Sequence, residues 1–324
     1  MPARLIAMLA AAAALAAAGC ARHSERDRPE QAATVVLDAR PDAVHAGIYL
    51  TVARDFARAE GVALVVRAPG AAGDGARLVA AGRAQFAVLD VDDLLVARRR
   101  GRDLVGVMAL VQRPLAAVIA APGVHRPRDL AGRRVAVSGR ARDVAVLTAV
   151  VRADGGDPAR VRRVSLRAGG HPADAVASGR AAAATGTWSG DGLDLAARLP
   201  GARVFRADDY GAPAYPELVL CVARETLDDQ RGVVRATVAA LRRGYDEALI
   251  DPESAVGALV DSTRGLDRAA TQRRFDAVSP AFLEGVTRFG DLDPTRLRAW
   301  ARWQAGTGLA PRPPDVERAF APGF

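Results

Sequence analysis

Lysine is missing from this chain: all 45 basic residues are arginine, set against 37 acidic residues and a net charge of +8. With alanine and glycine used so heavily, an all-arginine cation set reads as a GC-rich coding bias rather than as a designed basic surface. The charges run along the whole length with acids interleaved. The one dense run, "ARRRGR" from Ala97 to Arg102, closes a helix-like stretch, where cations suit the negative end of the helix dipole. Aromatic residues make up only 5% of the chain and are not interleaved with arginine, so no stacking platform for nucleic acid is expected. Cysteine is nearly absent too, with Cys20 and Cys221 alone. The four histidines, His23, His45, His125 and His171, lie far apart. That excludes a disulfide framework and gives no metal-ligand spacing, so no metal is expected. After residue 20 no second long apolar run follows, so the mature chain should not span a membrane.

What is present begins at the N-terminus. "MPARLIAMLAAAAALAAAGC" has one arginine, an apolar run of small residues, and a Gly-Cys end. It reads as a signal peptide over residues 1–19, with Cys20 as the lipidated first residue of a lipoprotein. Ala17 stands where a leucine is more usual, and ordinary cleavage near Ala18 is the competing reading. The polar stretch over residues 20–33 reads as a tether. Cys221, in the apolar run "ELVLCVA", reads as a small core residue.

From Thr34 onward, short β-type runs alternate with helix-type segments. "TVVLD", "VALVVRAP" and "AQFAVLD" each precede an amphipathic stretch that closes at Gly61, Gly82 or Gly101, the residue favoured just past a helix end. This alternation predicts α/β units around a mainly parallel sheet, with ligands at strand carboxyl ends. Two β-type runs then follow one another, "LVGVMALVQ" and "LAAVIAAPG", separated by Arg113 and Pro114. They mark a passage to a second α/β series. A return is expected at "YPELVLCVA", and the chain is helical from about Asp228. The expected division is residues 34–113 and 217–324 in one lobe and 114–216 in the other, with a ligand cleft between them.

The stretch "LDARPDAVHAG" carries a resemblance. In the SsuA- and ThiY-like substrate-binding proteins of ABC importers (the thiamine-pyrimidine-precursor branch), a first strand runs into Leu-Asp-Trp-x-Pro-Asn-x-x-His-x-Gly. Here Leu37, Asp38, Pro41, His45 and Gly47 match, Tyr49 follows, and Ala39 and Asp42 replace the Trp and Asn. "RDLAGRRVAVSG" and "YGAPAYPELVL" are similar to further family blocks, and in "TGTWSGDG" Trp188 is retained. Where the family often has Ser-Tyr-x-Pro-Asp, this chain has "LDVDD", Leu89 to Asp93, so two aromatic walls are lost.

The resemblance implies a two-lobed type II periplasmic-binding-protein fold with a helical C-terminal segment. It implies a monomeric extracytoplasmic receptor, anchored to the membrane through lipid on Cys20, that hands a thiamine-precursor aminopyrimidine or similar heteroaromatic to an ABC permease. No cofactor and no nucleic acid are expected. A flat aminated ring needs an aromatic face and fixed hydrogen-bond partners. Under the resemblance, Trp188 and Tyr215 (or Tyr210) offer faces, and Tyr49 adjoins the motif. His45 meets a ring nitrogen, Asp38 or Glu217 accepts from the amine, and Ser138 holds a polar substituent. Each side chain also has a plain structural reading: a local helix-start contact for His45, core packing for Trp188, hinge packing for the tyrosines and a surface ion pair for Glu217. Three alternatives stay open. One is a receptor for a sulfonate or riboflavin, and another is a sensory partner of a different membrane protein. The third is an enzyme resembling the fungal pyrimidine synthase, although the Cys-rich segment that the resemblance ties to that activity is missing.

Overall fold

The computed structural model describes residues 30–71, 73–166 and 170–324. The expected signal peptide, Cys20 and most of the tether lie outside the described residues. The first strand begins at Gln31, ahead of Thr34.

Among the described residues, ten strands form two five-stranded sheets. The first sheet holds β1 (Gln31–Val36), β2 (Val62–Arg67), β3 (Phe86–Asp90), β4 (Leu104–Val111) and β10 (Leu218–Ala223), ordered β2-β1-β3-β10-β4. The second holds β5 (Ala116–Ala120), β6 (Arg134–Val137), β7 (Arg162–Ser165), β8 (Ala183–Thr187) and β9 (Arg203–Arg206), ordered β7-β6-β8-β5-β9. The orders correspond: in each sheet a strand arriving from the other sheet is inserted next to the last. β10 runs antiparallel to β3 and β4, and β5 runs antiparallel to β8 and β9. The sheets are therefore mixed rather than mainly parallel. The cause is entry direction, since a strand coming from the other sheet starts at the carboxyl ends of its neighbours and must run against them. Every residue of β3, β4 and β5 is buried, as continuous apolar runs covered on both faces require.

Nine helices are used below: α1 (Ala46–Ala53), α2 (Asp74–Ala80), α3 (Val91–Arg99), α4 (Ala141–Ala153), α5 (Leu193–Arg198), α6 (Arg231–Ile250), α7 (Pro252–Ser262), α8 (Arg268–Val278) and α9 (Pro294–Gly306). α2 and α3 follow β2 and β3, α4 follows β6, and α6 to α9 belong to the helical end of the chain. Behind the first sheet, aromatic rings fill the core. Tyr245 stacks on Phe289 at 4.1 Å between centroids and meets Phe282 edge-on at 5.2 Å. The second sheet's core clusters are Ala, Val, Leu and Ile, with Phe205 the one aromatic in them among the described residues.

Helix α1 and helix α6 cross almost in backbone contact. A Cβ on Gly47 would lie 2.5 Å from the Tyr245 ring, and one on Gly244 would lie 1.9 Å from Thr51 Oγ1. The glycine of the opening motif is there because a ring occupies the space a side chain would need. Cys221 is fully buried in β10, and its thiol is pushed well up by burial. No helix among the described residues is long and apolar enough to cross a membrane.

Candidate functional site

The carboxyl ends of β1 and β3 and the start of β10 face the carboxyl end of β8 and the start of α4 across a cleft of about 240 Å³. From the first sheet's side come Asp38, Asp42, Asp90, Asp93 and Glu217; Arg140, Arg142, Thr187, Ser189 and Gly190 come from the other. Arg274 of α8 completes the charged lining, and Ala39, Ala43, Val44, Leu115, Leu218 and Val278 supply the apolar part. No aromatic ring lines this cleft among the described residues.

The opening motif builds one corner. Asp42 caps a single 3-10 turn, Ala43–His45, its Oδ1 accepting from the Val44 N–H at 3.2 Å. A Ser/Thr/Asp/Asn at this position satisfies an otherwise orphan N–H of the turn. The Tyr245 hydroxyl donates to the Val44 carbonyl at 2.7 Å, which pins the turn to α6. His45 has no exposed surface and does not line the cleft. It sits behind, with Nε2 2.8 Å from Asp38 Oδ1 and Nδ1 3.0 Å from Asp42 Oδ1. Burial alone would lower its pKa, but the Asp42 and Asp38 carboxylates outweigh this and push it up to about 10. The ring donates through Nε2 to Asp38 while the Asp42 N–H approaches Nδ1 at 3.2 Å, and the paired carboxylates favour its charged form, so it holds both of them at the cleft's edge.

The second corner is a buried charge cluster. Glu217 is only 3% exposed. Its N–H donates to Val111 at 2.8 Å and its carbonyl accepts from Val91 at 2.9 Å, so the backbone grips it between β4 and α3. Glu217 Oε1 accepts from Arg142 Nη1 at 2.9 Å, and the same nitrogen contacts Asp90. Glu217 Oε2 is buried with no hydrogen-bond partner. Burial raises the Glu217 pKa, and Arg142, the Leu115 N–H and the Tyr215 hydroxyl, which approach its carboxyl, work against the rise. Behind it the Asp92 carboxyl is pushed up to about 7, first by burial and then by the Glu217 charge. Asp92 Oδ1 accepts from Trp300 Nε1 at 3.2 Å and from Gln304 Nε2 at 2.5 Å. Further charges tie the two sides together: Arg140 reaches Asp93 at 3.7 Å, and Arg274 holds Asp194 of α5 at 2.6 Å.

Of the residues singled out from sequence, Asp38 and Glu217 line the cleft, and His45 supports it from behind. Trp188 turns away: its indole N–H donates to the Pro114 carbonyl at 2.8 Å, and the Arg206 guanidinium lies 4.2 Å above its ring. It fastens β8 to the connection between the sheets. Tyr215 is 1% exposed, with its ring 6.0 Å from Trp303, and Tyr210 meets Phe205 edge-on. Tyr49 packs half-buried on α1 against the first core. Ser138 is exposed and bonds Asp143 through its hydroxyl. Sequence reasoning passed over Asp90, Asp93, Arg140 and Arg142. Asp90 carried a signal, since it ends a strand and opens a helix, where such sheets bind ligands. Among the described residues, no group of three His, Cys, Asp or Glu side chains is arranged to hold a metal ion.

The NMT1/THI5 like family matches residues 42–255, more than half of the chain. The chain belongs to that family. It is also similar to the formylaminopyrimidine-binding protein of Halalkalibacterium halodurans, 28% identical over 244 residues, covering 72% of this chain and 71% of the relative. Among solved structures, the periplasmic aliphatic sulphonate binding protein SsuA from Escherichia coli superposes with a TM-score of 0.70 at 16% identity, over 89% of this chain and 97% of that one. The alkanesulfonate-binding protein SsuA from Xanthomonas axonopodis pv. citri bound to MOPS gives 0.66 at 17%, over 91% and 99%. These likenesses show the two-sheet α/β periplasmic-binding-protein fold. The family match begins at Asp42, the residue that caps the His45 turn, and runs through β10 into α7. It therefore includes the lining of the cleft except Asp38, Ala39, Arg274 and Val278.

Proposed function

We propose that this chain is the extracytoplasmic solute-binding component of an ABC importer and that it takes a small aminated heteroaromatic compound of aminopyrimidine type into the cleft. The observation that carries the reading is Glu217, a buried carboxyl in the cleft wall with one oxygen that completes no hydrogen bond, the Tyr215 hydroxyl and Leu115 N–H only approaching the group. A buried acceptor left open at a strand end suits an exocyclic amine, and burying it without a partner costs about 1–3 kcal/mol. The formylaminopyrimidine-binding relative supports the same class of ligand. Asp38 is a second acceptor, and His45 positions it. Trp188, Tyr49, Tyr215 and Ser138 then act through the frame rather than on the ring.

In this reading residues 34–113 and 217–324 form one lobe and 114–216 the other, closing over the ligand. Cys20 carries the lipid that holds the receptor at the membrane beside its permease. A sulfonate receptor is the second reading, favoured by the three arginines of the cleft; their carboxylate partners weigh against it. Thermal unfolding with formylaminopyrimidine and with methanesulfonate separates the two, because a ligand bound only by the folded state raises the melting temperature. A rise with the pyrimidine and none with the sulfonate is expected. The reverse pattern would overturn the proposal.

A further inference from the structure

Asp90 and Glu217 stand side by side, because Leu218 pairs with Asp90 across the antiparallel β3–β10 ladder. Into the space before them comes a planar cation from the opposite side of the cleft. Arg142, near the start of α4, is held by both carboxylates through one guanidinium nitrogen. Its side chain is 18% exposed, while those of Asp90 and Glu217 are 10% and 4% exposed. The fit is incomplete, since buried Glu217 Oε2 completes no hydrogen bond, although the Tyr215 hydroxyl and the Leu115 N–H approach the carboxyl. A carboxylate is best met by two parallel N–H groups in one plane, and Arg142 offers this one only a single nitrogen.

We infer that the Asp90–Glu217 pair is a subsite for a planar amidinium edge on the ligand, and that Arg142 is the internal cation which that edge displaces. The chemical class follows from the occupant. A guanidinium, an amidine and a 4-aminopyrimidine protonated at the neighbouring ring nitrogen all present coplanar N–H donors beside a delocalised positive charge. A neutral aminopyrimidine facing a protonated carboxyl carries the same proton on the other partner, so the edge-to-edge geometry is unchanged. Arg140, Asp93, Asp92 and Asp38 are the other charged groups around the subsite, and Asp38 is engaged with His45. Arg140 is engaged with Asp93, and Asp92 is engaged with Trp300 and Gln304. Arg142 is thus the group whose departure opens the pair. The inference rests on the receptor reading above and names the edge of the ligand that the cleft holds.

Calorimetric titration of the full chain tests it, using benzamidine as a permanently charged amidinium, formylaminopyrimidine, and methanesulfonate. Benzamidine and formylaminopyrimidine should bind the wild type. Arg142→Ala should bind both at least tenfold more tightly, and Glu217→Gln should bind both at least tenfold more weakly. In melting curves the Arg142→Ala protein should also gain more from benzamidine than the wild type does, since the ligand then supplies the missing cation. That measurement stands even if Glu217→Gln does not fold. If Arg142→Ala weakens formylaminopyrimidine binding, Arg142 is a ligand partner and the inference falls while the receptor reading survives. Failure of benzamidine to bind either protein has the same consequence. If methanesulfonate alone binds and Arg142→Ala abolishes it, the inference and the aminopyrimidine reading fall together.

Discussion

The two walls of the cleft are built at equivalent places of two corresponding sheets and carry opposite chemistry. The wall on the first sheet presents Asp38, Asp42, Asp90, Asp93 and Glu217, while the wall on the second presents Arg140, Arg142 and the small residues Thr187, Ser189 and Gly190. Strand carboxyl ends expose backbone turns and helix starts in both, so topology places the walls but does not choose their charge. The choice has a consequence: the walls attract each other through ion pairs across the cleft. Such partly buried pairs lose hydration on forming and contribute little net stability, but they set the register in which the sides meet. The frames differ as well. The acidic wall leans on stacked aromatics and a glycine crossing, and the basic wall leans on Ala and Val.

The largest expected effect comes from breaking the acidic wall's frame. Gly244→Ala places a Cβ 2.6 Å from the Gly47 carbonyl as well as against Thr51, so α1 and α6 must part. Overpacking of this kind costs about 3 kcal/mol. Thermal unfolding should show a fall of several degrees with no pH dependence, and an unchanged melting temperature would mean that the helices do not meet this closely.

Next is His45→Ala, which removes the cation between Asp38 and Asp42. Loss of hydrogen bonds to charged groups predicts about 2 kcal/mol at neutral pH. His45 rises from 6.5 in the unfolded chain to about 10 in the fold. Its contribution is therefore complete below pH 6.5 and is lost as pH climbs through 10. Denaturant unfolding of wild type and variant should show a gap that narrows from pH 6.5 to 10; a gap that widens would contradict the imidazolium assignment.

The smallest effect sharpens the comparison from behind the acidic wall. Asp92 is raised from 3.8 to about 7, so the fold prefers it protonated and is penalised as pH rises between those values. Asp92→Asn removes that penalty and should gain on the order of 1 kcal/mol above pH 7, with the difference gone below pH 4. A loss of stability at pH 8 would show that the charge is held favourably.

Some of this was legible in the residues. "FAVLD" and "TVVLD" ended strands on carboxylates, and "LVGVMALVQ" followed by "LAAVIAAPG" marked the passage between sheets. Asp38 and Glu217 reach the cleft. Trp188 and Tyr215 are where direction misled: both rings are of the right type and lie near the right place, but one hydrogen-bonds the inter-sheet connection and the other is buried against Trp303. Sequence shows which residue stands at a strand end and not which way its side chain turns. Arg142 was passed over for another reason, since its partner Glu217 lies 75 positions away and no local pattern links them.

By itself, the sequence determined the α/β alternation, the two passages between sheets, the helical end and the family, because these follow from hydrophobic period, turn residues and a short motif read locally. The tertiary structure alone decided that β5 and β10 run against their neighbours, that His45 stands behind the cleft between two carboxylates, and that one wall is acidic and the other basic. Each of these depends on which distant segments fold against one another, and burial and charge pairing take their values only once those segments meet.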